Sequence, residues 1–200
     1  MTGHVAAGTG GLGHEEGDPV RARGNMLLGV QLGILSEVML FGALFAAYFV
    51  VRADSPSWPP TGDLERPELL LPGLNTLLLV SSSVTMQLAV RSAARGDGRQ
   101  LRWMGITLLL GGVFLLVQGY EFATNGFGLD AGVFGSTFYT LTGFHGAHVL
   151  AGLILIAIVA NRARRGYISP QRHTAVEAVS YYWHFVDVVW LFLFSTLYVL

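Results

Sequence analysis

A chain of 200 residues that is 52% hydrophobic and only 12% charged, with a mean hydropathy of +0.52, is not an ordinary soluble domain, because those carry about 25% charged residues. The apolar residues fall in long blocks, so the chain reads as an integral membrane protein. The net charge of −1 is uninformative by itself, and the lack of cysteine removes disulfides, thiolate-held copper or haem, and cysteine-held iron–sulfur clusters.

Residues 1–24 are glycine-rich and without periodicity, carrying His4, His14, Glu15, Glu16 and Asp18. They lack the basic start and apolar core of a signal peptide and are expected to form a flexible cytoplasmic tail. The remainder, 25–200, is one transmembrane unit. Five apolar segments follow, each close to the roughly 20 residues a helix needs to cross a bilayer: about 26–51, 71–90, 103–122, 133–160 and 178–200. The fold class is all-α and polytopic. The second segment is the most polar, with Asn75, Ser81, Ser82, Ser83, Thr85 and Gln87. Small hydroxyl residues suit close helix contact, which places that segment inside the bundle. Pro56–Pro72, with Trp58-Pro59-Pro60, is a turn-rich connector that cannot continue a helix.

Charge distribution sets an expected orientation. Arg21 and Arg23 precede the first span, Arg91, Arg95, Arg99 and Arg102 lie around the second connection, and Arg162, Arg164, Arg165 and Arg172 lie around the fourth. The other two connections hold only Arg52 and Arg66. The positive-inside rule then puts the N-terminus in the cytoplasm and the C-terminus outside.

Several ionisable residues fall at membrane depth, where they are costly unless partnered. Glu37 lies roughly 16–18 Å along the first span at 1.5 Å per residue. Gly29, Gly33 and Glu37 are spaced four apart, so a close-packing glycine stripe is expected to point the carboxyl at protein. Two readings stand for it, a proton-handling carboxylate and a neutral acid hydrogen-bonded between helices. His145 and His148 share a face of the fourth span beside a small-residue stripe of Gly143, Ala147 and Ala151. In the fifth span His184 and Asp187 are three residues apart, ringed by Tyr182, Trp183 and Trp190. They read either as a functional pair or as polar glue between helices. Glu121, near Gln118, sits at the outer end of the third span, where an interfacial hydrogen bond is expected. A metal or haem site built from His145, His148 and His184 is the competing chemistry. Dense ligand motifs such as His-x-x-x-His are absent from the spans, as are phosphate loops and nucleophile–base arrangements.

The stretch Tyr182-Trp-His-Phe-Val-Asp-Val-Val-Trp-Leu-Phe192 resembles the final-helix signature of subunit III of haem–copper oxidases. Gly135-Ser-Thr-Phe-Tyr-Thr-Leu-Thr-Gly-Phe-His-Gly-Ala-His148, Ser36-Glu-Val-Met39, Asn75-Thr-Leu-Leu-Leu-Val-Ser-Ser82 and Gln118-Gly-Tyr-Glu-Phe122 match the same family in order, from about residue 25 onward. Longer members have seven helices, and this chain corresponds to the last five, which is expected to reshape the family's lipid-filled cleft.

The resemblance implies a chain without redox cofactors, the haem and copper being held by partner subunits I and II. It implies contact chiefly with subunit I, bound phospholipid, a role in proton and oxygen access, and a bacterial plasma membrane; no nucleic-acid partner is expected. Glu37 matches the family's buried carboxylate, and His145, His148, His184 and Asp187 match motif positions expected to hold helices together. Glu177, just before the last span, fits the cytochrome c oxidase pattern better than that of a quinol oxidase. A quinol oxidase subunit III and the related subunit of a nitric oxide reductase remain as alternatives, with a small membrane histidine–metal enzyme as the reading from another class.

Overall fold

The computed structural model describes residues 19–56, 58, 69–129 and 131–200. Five helices follow one another: α1 (Pro19–Ala53), α2 (Leu70–Arg95), α3 (Gln100–Thr124), α4 (Gly132–Arg164) and α5 (Thr174–Phe194). The last continues into one π-helical turn, Ser195–Val199. No strand occurs among the described residues, and all five helices are long and apolar enough to cross a membrane. Each is longer at one or both ends than its apolar block. Arginine is a good helix former, so Arg21, Arg23, Arg91, Arg95, Arg102, Arg162 and Arg164 prolong the helices beyond the apolar core. Part of the expected tail is therefore helical from Pro19, a residue well suited to a first helical position because its φ is preset. Residues 1–18 lie outside the described residues, as does most of the connector between α1 and α2.

Helix α5 is central and packs on α1, α2 and α4, while α2 packs chiefly on α3 and α1 on α5 and α4. Its buried face carries Trp183 and Trp190, seven residues apart and therefore one above the other. The Trp183 indole N–H donates to Ser82 Oγ at 2.9 Å, and that of Trp190 to Thr76 Oγ1 at 2.9 Å. Both acceptors lie on α2, so one face of the polar second segment turns into the bundle, while Leu74, Leu77, Ser81 and Val84 on its other face are exposed. Its Asn75 donates to the Phe114 carbonyl (3.1 Å), and Thr85 pairs with Thr107 (2.7 Å), joining α2 antiparallel to α3.

The glycines that matter for packing are not those the sequence stripes suggested. A side-chain carbon at Gly29, Gly33 or Gly143 would meet nothing within 4 Å, and Ala147 is exposed. The stripes therefore do not draw these helices together within this chain. Instead, a Cβ on Gly111 would come within 2.7 Å of the Trp183 ring, and one on Gly152 within 2.8 Å. Gly111 of α3 and Gly152 of α4 form a slot for a fully buried indole.

The connection between α2 and α3 closes tightly. Gly96 ends α2 with φ of 68° and lies under Pro170 of the α4–α5 connection, so the two connections touch. Asp97 accepts from the Ser92 hydroxyl and from the Arg99 backbone N–H, with the Arg99 guanidinium beside it. Those contacts, the Ser92 hydroxyl first, hold its carboxyl below the ordinary value.

The slot gives a direct comparison. Gly152→Ala is expected to destabilise the chain by about 1–3 kcal/mol through overpacking against Trp183. Gly112→Ala, which points into open space, is expected to stay within about 0.5 kcal/mol. Thermal retention of the chain in its purified membrane assembly measures both, and equal losses would contradict the slot.

Candidate functional site

Glu37 projects from the middle of α1 and His148 from the middle of α4. Their contact is His148 Nε2 to Glu37 Oε2, 3.0 Å. The other ring nitrogen, Nδ1, lies 2.7 Å from the Phe144 carbonyl oxygen, which can only accept. Nδ1 therefore carries a proton. The Nε2–Oε2 contact then holds one more proton, either as a carboxylic acid donating to imidazole or as an imidazolium donating to carboxylate. Both arrangements are neutral overall, which is how two ionisable groups can sit at membrane depth together. Moving that proton between Oε2 and Nε2 changes no net charge. Phe41, one turn beyond Glu37, meets the imidazole edge-on at 5.0 Å, and the Tyr182 hydroxyl donates to the His148 carbonyl at 3.3 Å. The carboxyl side is the more open, 34% exposed against 15% for His148.

His184 belongs to a different tie. Its Nδ1 lies 2.9 Å from Ser83 Oγ and its Nε2 3.3 Å from Gln87 Oε1. A neutral ring with its proton on Nε2 satisfies both, accepting from the serine and donating to the amide oxygen. His184 thus joins α5 to α2. Asp187 does not bond to it; the carboxyl is buried, and neither oxygen has a hydrogen-bond partner. His145 is fully buried, stacked on Trp190 at 4.9 Å with Phe114 edge-on at 5.9 Å, and neither ring nitrogen is hydrogen-bonded. His145 and His148, expected on one face, therefore have different surroundings: one inside the bundle, the other on the flank toward α1.

The remaining polar positions hold ends of helices. Gln118 donates to the Thr142 carbonyl at 3.3 Å across the close approach that Gly146 allows. Glu121 is buried and accepts from the Tyr198 hydroxyl at 2.8 Å. Glu177 lies in the first turn of α5, where the helix dipole favours an acid. One guanidinium nitrogen of Arg23 of α1, Nη2, lies 2.9 Å from each Glu177 oxygen, and His173 makes a third contact at 3.1 Å. At the opposite end of α1, Tyr48 donates to the Thr196 carbonyl at 3.0 Å, at the π-helical turn, and Arg52 donates to the Leu200 carbonyl at 2.7 Å.

Among the described residues, no three of His, Asp and Glu lie close enough to hold a metal ion. The three span histidines go to three different neighbours: Glu37, Trp190, and the Ser83–Gln87 pair. Residue spacing did not single out Gly111, Gly152, Arg23 or Tyr198. Only the seven-residue spacing of the tryptophans, with the hydroxyls of α2, carried a signal of the α2–α5 seam.

A bundle of five apolar helices, joined at depth by indole–hydroxyl, amide–carbonyl and histidine contacts, defines a polytopic membrane subunit. The family is given by comparison with known proteins: the family model for cytochrome c oxidase subunit III matches residues 14–200. Cytochrome c oxidase subunit 3 of Thermostichus vulcanus is 45% identical over 176 residues, 87% of each chain. A probable cytochrome c oxidase subunit 3 of Mycobacterium leprae is 44% identical over 182 residues, 88% of this chain and 89% of that one. Cytochrome c oxidase subunit 3 of Gadus morhua is 40% identical over 176 residues, 85% of this chain and 67% of that one. The chain belongs to the cytochrome c oxidase subunit III family.

Two variants separate the ties. Glu37→Gln is expected to preserve assembly, because an amide can still donate to the unprotonated Nε2. His184→Ala removes two contacts and is expected to cost about 1–2 kcal/mol, the range of helix–helix hydrogen bonds in membranes. Loss of the chain from the complex in Glu37→Gln, with full retention in His184→Ala, would reverse this assignment.

Proposed function

We propose that this chain is the non-catalytic subunit III of a cytochrome c oxidase complex that reduces dioxygen to water and pumps protons. In this reading haem and copper reside in subunits I and II, and the present chain braces subunit I during turnover. The observation that carries it is a set of ties between helices: Trp183, Trp190, His184 and Gln118 each reach a neighbouring helix. The His184 imidazole, so used, is a poor candidate for a redox ligand. The Glu37–His148 pair holds a movable proton at mid-depth, and its carboxyl is partly open toward the surface of the chain. It is therefore the position from which proton access to the complex would be shaped.

The groove between α1 and α5, with a volume of about 540 Å³ and lined by Val38, Phe41, Phe45, Phe185, Val188 and Phe192, is apolar and of a shape suited to a phospholipid acyl chain. The ten arginines at one end of the bundle favour a cytoplasmic N-terminus, in what we read as a bacterial plasma membrane.

The test is the complex stripped of this chain. It is expected to keep its haem and copper spectrum and its initial rate of oxygen reduction, and to lose activity sooner during sustained turnover. Immediate loss of the haem or copper signal on removal of the chain would contradict a non-catalytic role.

A further inference from the structure

One layer of the bundle gathers a polar residue from each of α2, α3 and α4 around Trp190 of α5. Trp190 donates to Thr76 and carries the stacked ring of His145, which Phe114 meets edge-on. Asn75 Nδ2 donates to the Phe114 carbonyl. Gln118, one turn beyond Phe114, donates from Nε2 to the carbonyl of Thr142, three residues before His145. Asn75, Gln118 and His145 are 2%, 3% and 0% exposed, so the layer is closed to the surroundings.

Each of the three leaves polar atoms without a hydrogen-bond partner among the described residues: Asn75 Oδ1, Gln118 Oε1 and both ring nitrogens of His145. Buried groups of this kind are nearly always bonded, to protein or to ordered water. Turning the amides end for end does not help, because their nitrogens sit on carbonyl oxygens, which only accept. Neighbouring donors are already engaged: the Trp190 N–H by Thr76, the Thr76 hydroxyl by the Pro72 carbonyl, the Thr142 hydroxyl by the Phe138 carbonyl. The His145 ring is held against Trp190 and Phe114, and its single N–H cannot serve amide oxygens on two different helices.

A small neutral group that donates twice and accepts once satisfies this set. A cation would instead bring an uncompensated charge to membrane depth. Room exists beside one of the oxygens, because Gly146 has no side chain there. A Cβ at that position would stand 3.3 Å from Gln118 Oε1.

We propose that this layer binds an internal water molecule that accepts from the His145 N–H and donates to Asn75 Oδ1 and Gln118 Oε1. Three bonds is the usual complement of a buried water. Of the four unpaired positions, only the acceptor nitrogen of the ring then stays unbonded. The water joins α2, α3 and α4 at one point, apart from the Glu37–His148 pair and the α1–α5 groove. The assignment rests on the packing and does not depend on the oxidase reading.

The test is cryo-electron microscopy of the intact complex in lipid nanodiscs, at a resolution that shows ordered solvent. One isolated peak is expected, about 2.7–3.2 Å from a His145 ring nitrogen and from at least one of the two amide oxygens. Absence of such a peak would overturn the proposal, as would a direct bond from His145 to either amide. A peak at the roughly 2.0–2.6 Å of a coordinated metal ion would overturn it too.

A second measurement needs no solvent density. His145→Phe removes no hydrogen bond to protein among the described residues. With a bound water the substitution takes away one of its holders, and the midpoint temperature for retention of this chain in the complex is expected to fall. In a dry layer the same change removes an unpaired buried polar group, so an unchanged or higher midpoint counts against the water. If His145→Phe does not assemble, the wild-type peak decides.

Discussion

Two indole N–H groups on one helix set the architecture. Trp183 and Trp190 reach from α5 to Ser82 and Thr76 of α2, and the Trp183 ring fills the space left by two glycines on α3 and α4. In lipid, burying an indole gains little hydrophobic free energy, because the lipid tails are as apolar as the bundle interior. What remains is shape and hydrogen bonding. A large ring in a glycine slot supplies the first, and a donor that must find an acceptor supplies the second. The position of α5 against three neighbours follows from these contacts, and α1 is then added along the open side of α5.

That attachment of α1 is made in three layers. Arg23 grips Glu177 at one end, Glu37 meets His148 at mid-depth, and Tyr48 and Arg52 reach the last turn of the chain at the other end. Between these layers Phe41 and Phe45 pack against Phe185 and Phe192. The mid-depth contact differs from the outer two because it must be neutral to exist there. A single proton shared between a carboxyl and an imidazole meets that requirement and leaves the proton movable. Structural and proton-related roles for Glu37 are therefore compatible consequences of one contact.

The five helices were legible because roughly 20 apolar residues in a row permit little else, and arginines marked their ends. The inward face of α2 was legible in part from its hydroxyls: Thr76 and Ser82 take the indole N–H groups, whereas Ser81 is exposed. The packing partners were not. Gly29, Gly33 and Glu37 have the spacing of a close-contact stripe, yet spacing cannot tell a face that meets a neighbouring helix from one that meets lipid. Gly111 and Gly152 have no stripe to announce them, because one indole rather than a whole backbone occupies their slot. The polar core read as one constellation from depth alone; side chains three apart differ by about 60° round a helix, enough for His145 to meet Trp190 inside the bundle while His148 meets Glu37 on its flank. His184 and Asp187 share a face without sharing a bond, since the hydroxyl and amide of Ser83 and Gln87 engage the imidazole from α2.

The central claim is that the polar groups bridging α5 to α2 hold these helices together, as the proposed non-catalytic role of the chain requires. A double-mutant cycle of Trp183→Phe and Ser82→Ala in the intact complex tests it most directly, reading thermal retention of this chain together with the initial rate of oxygen reduction. A coupling of about 1 kcal/mol in retention, with the initial rate unchanged wherever the chain is retained, is the expected result. Strictly additive losses, or a fall in rate while the chain remains bound, would contradict it.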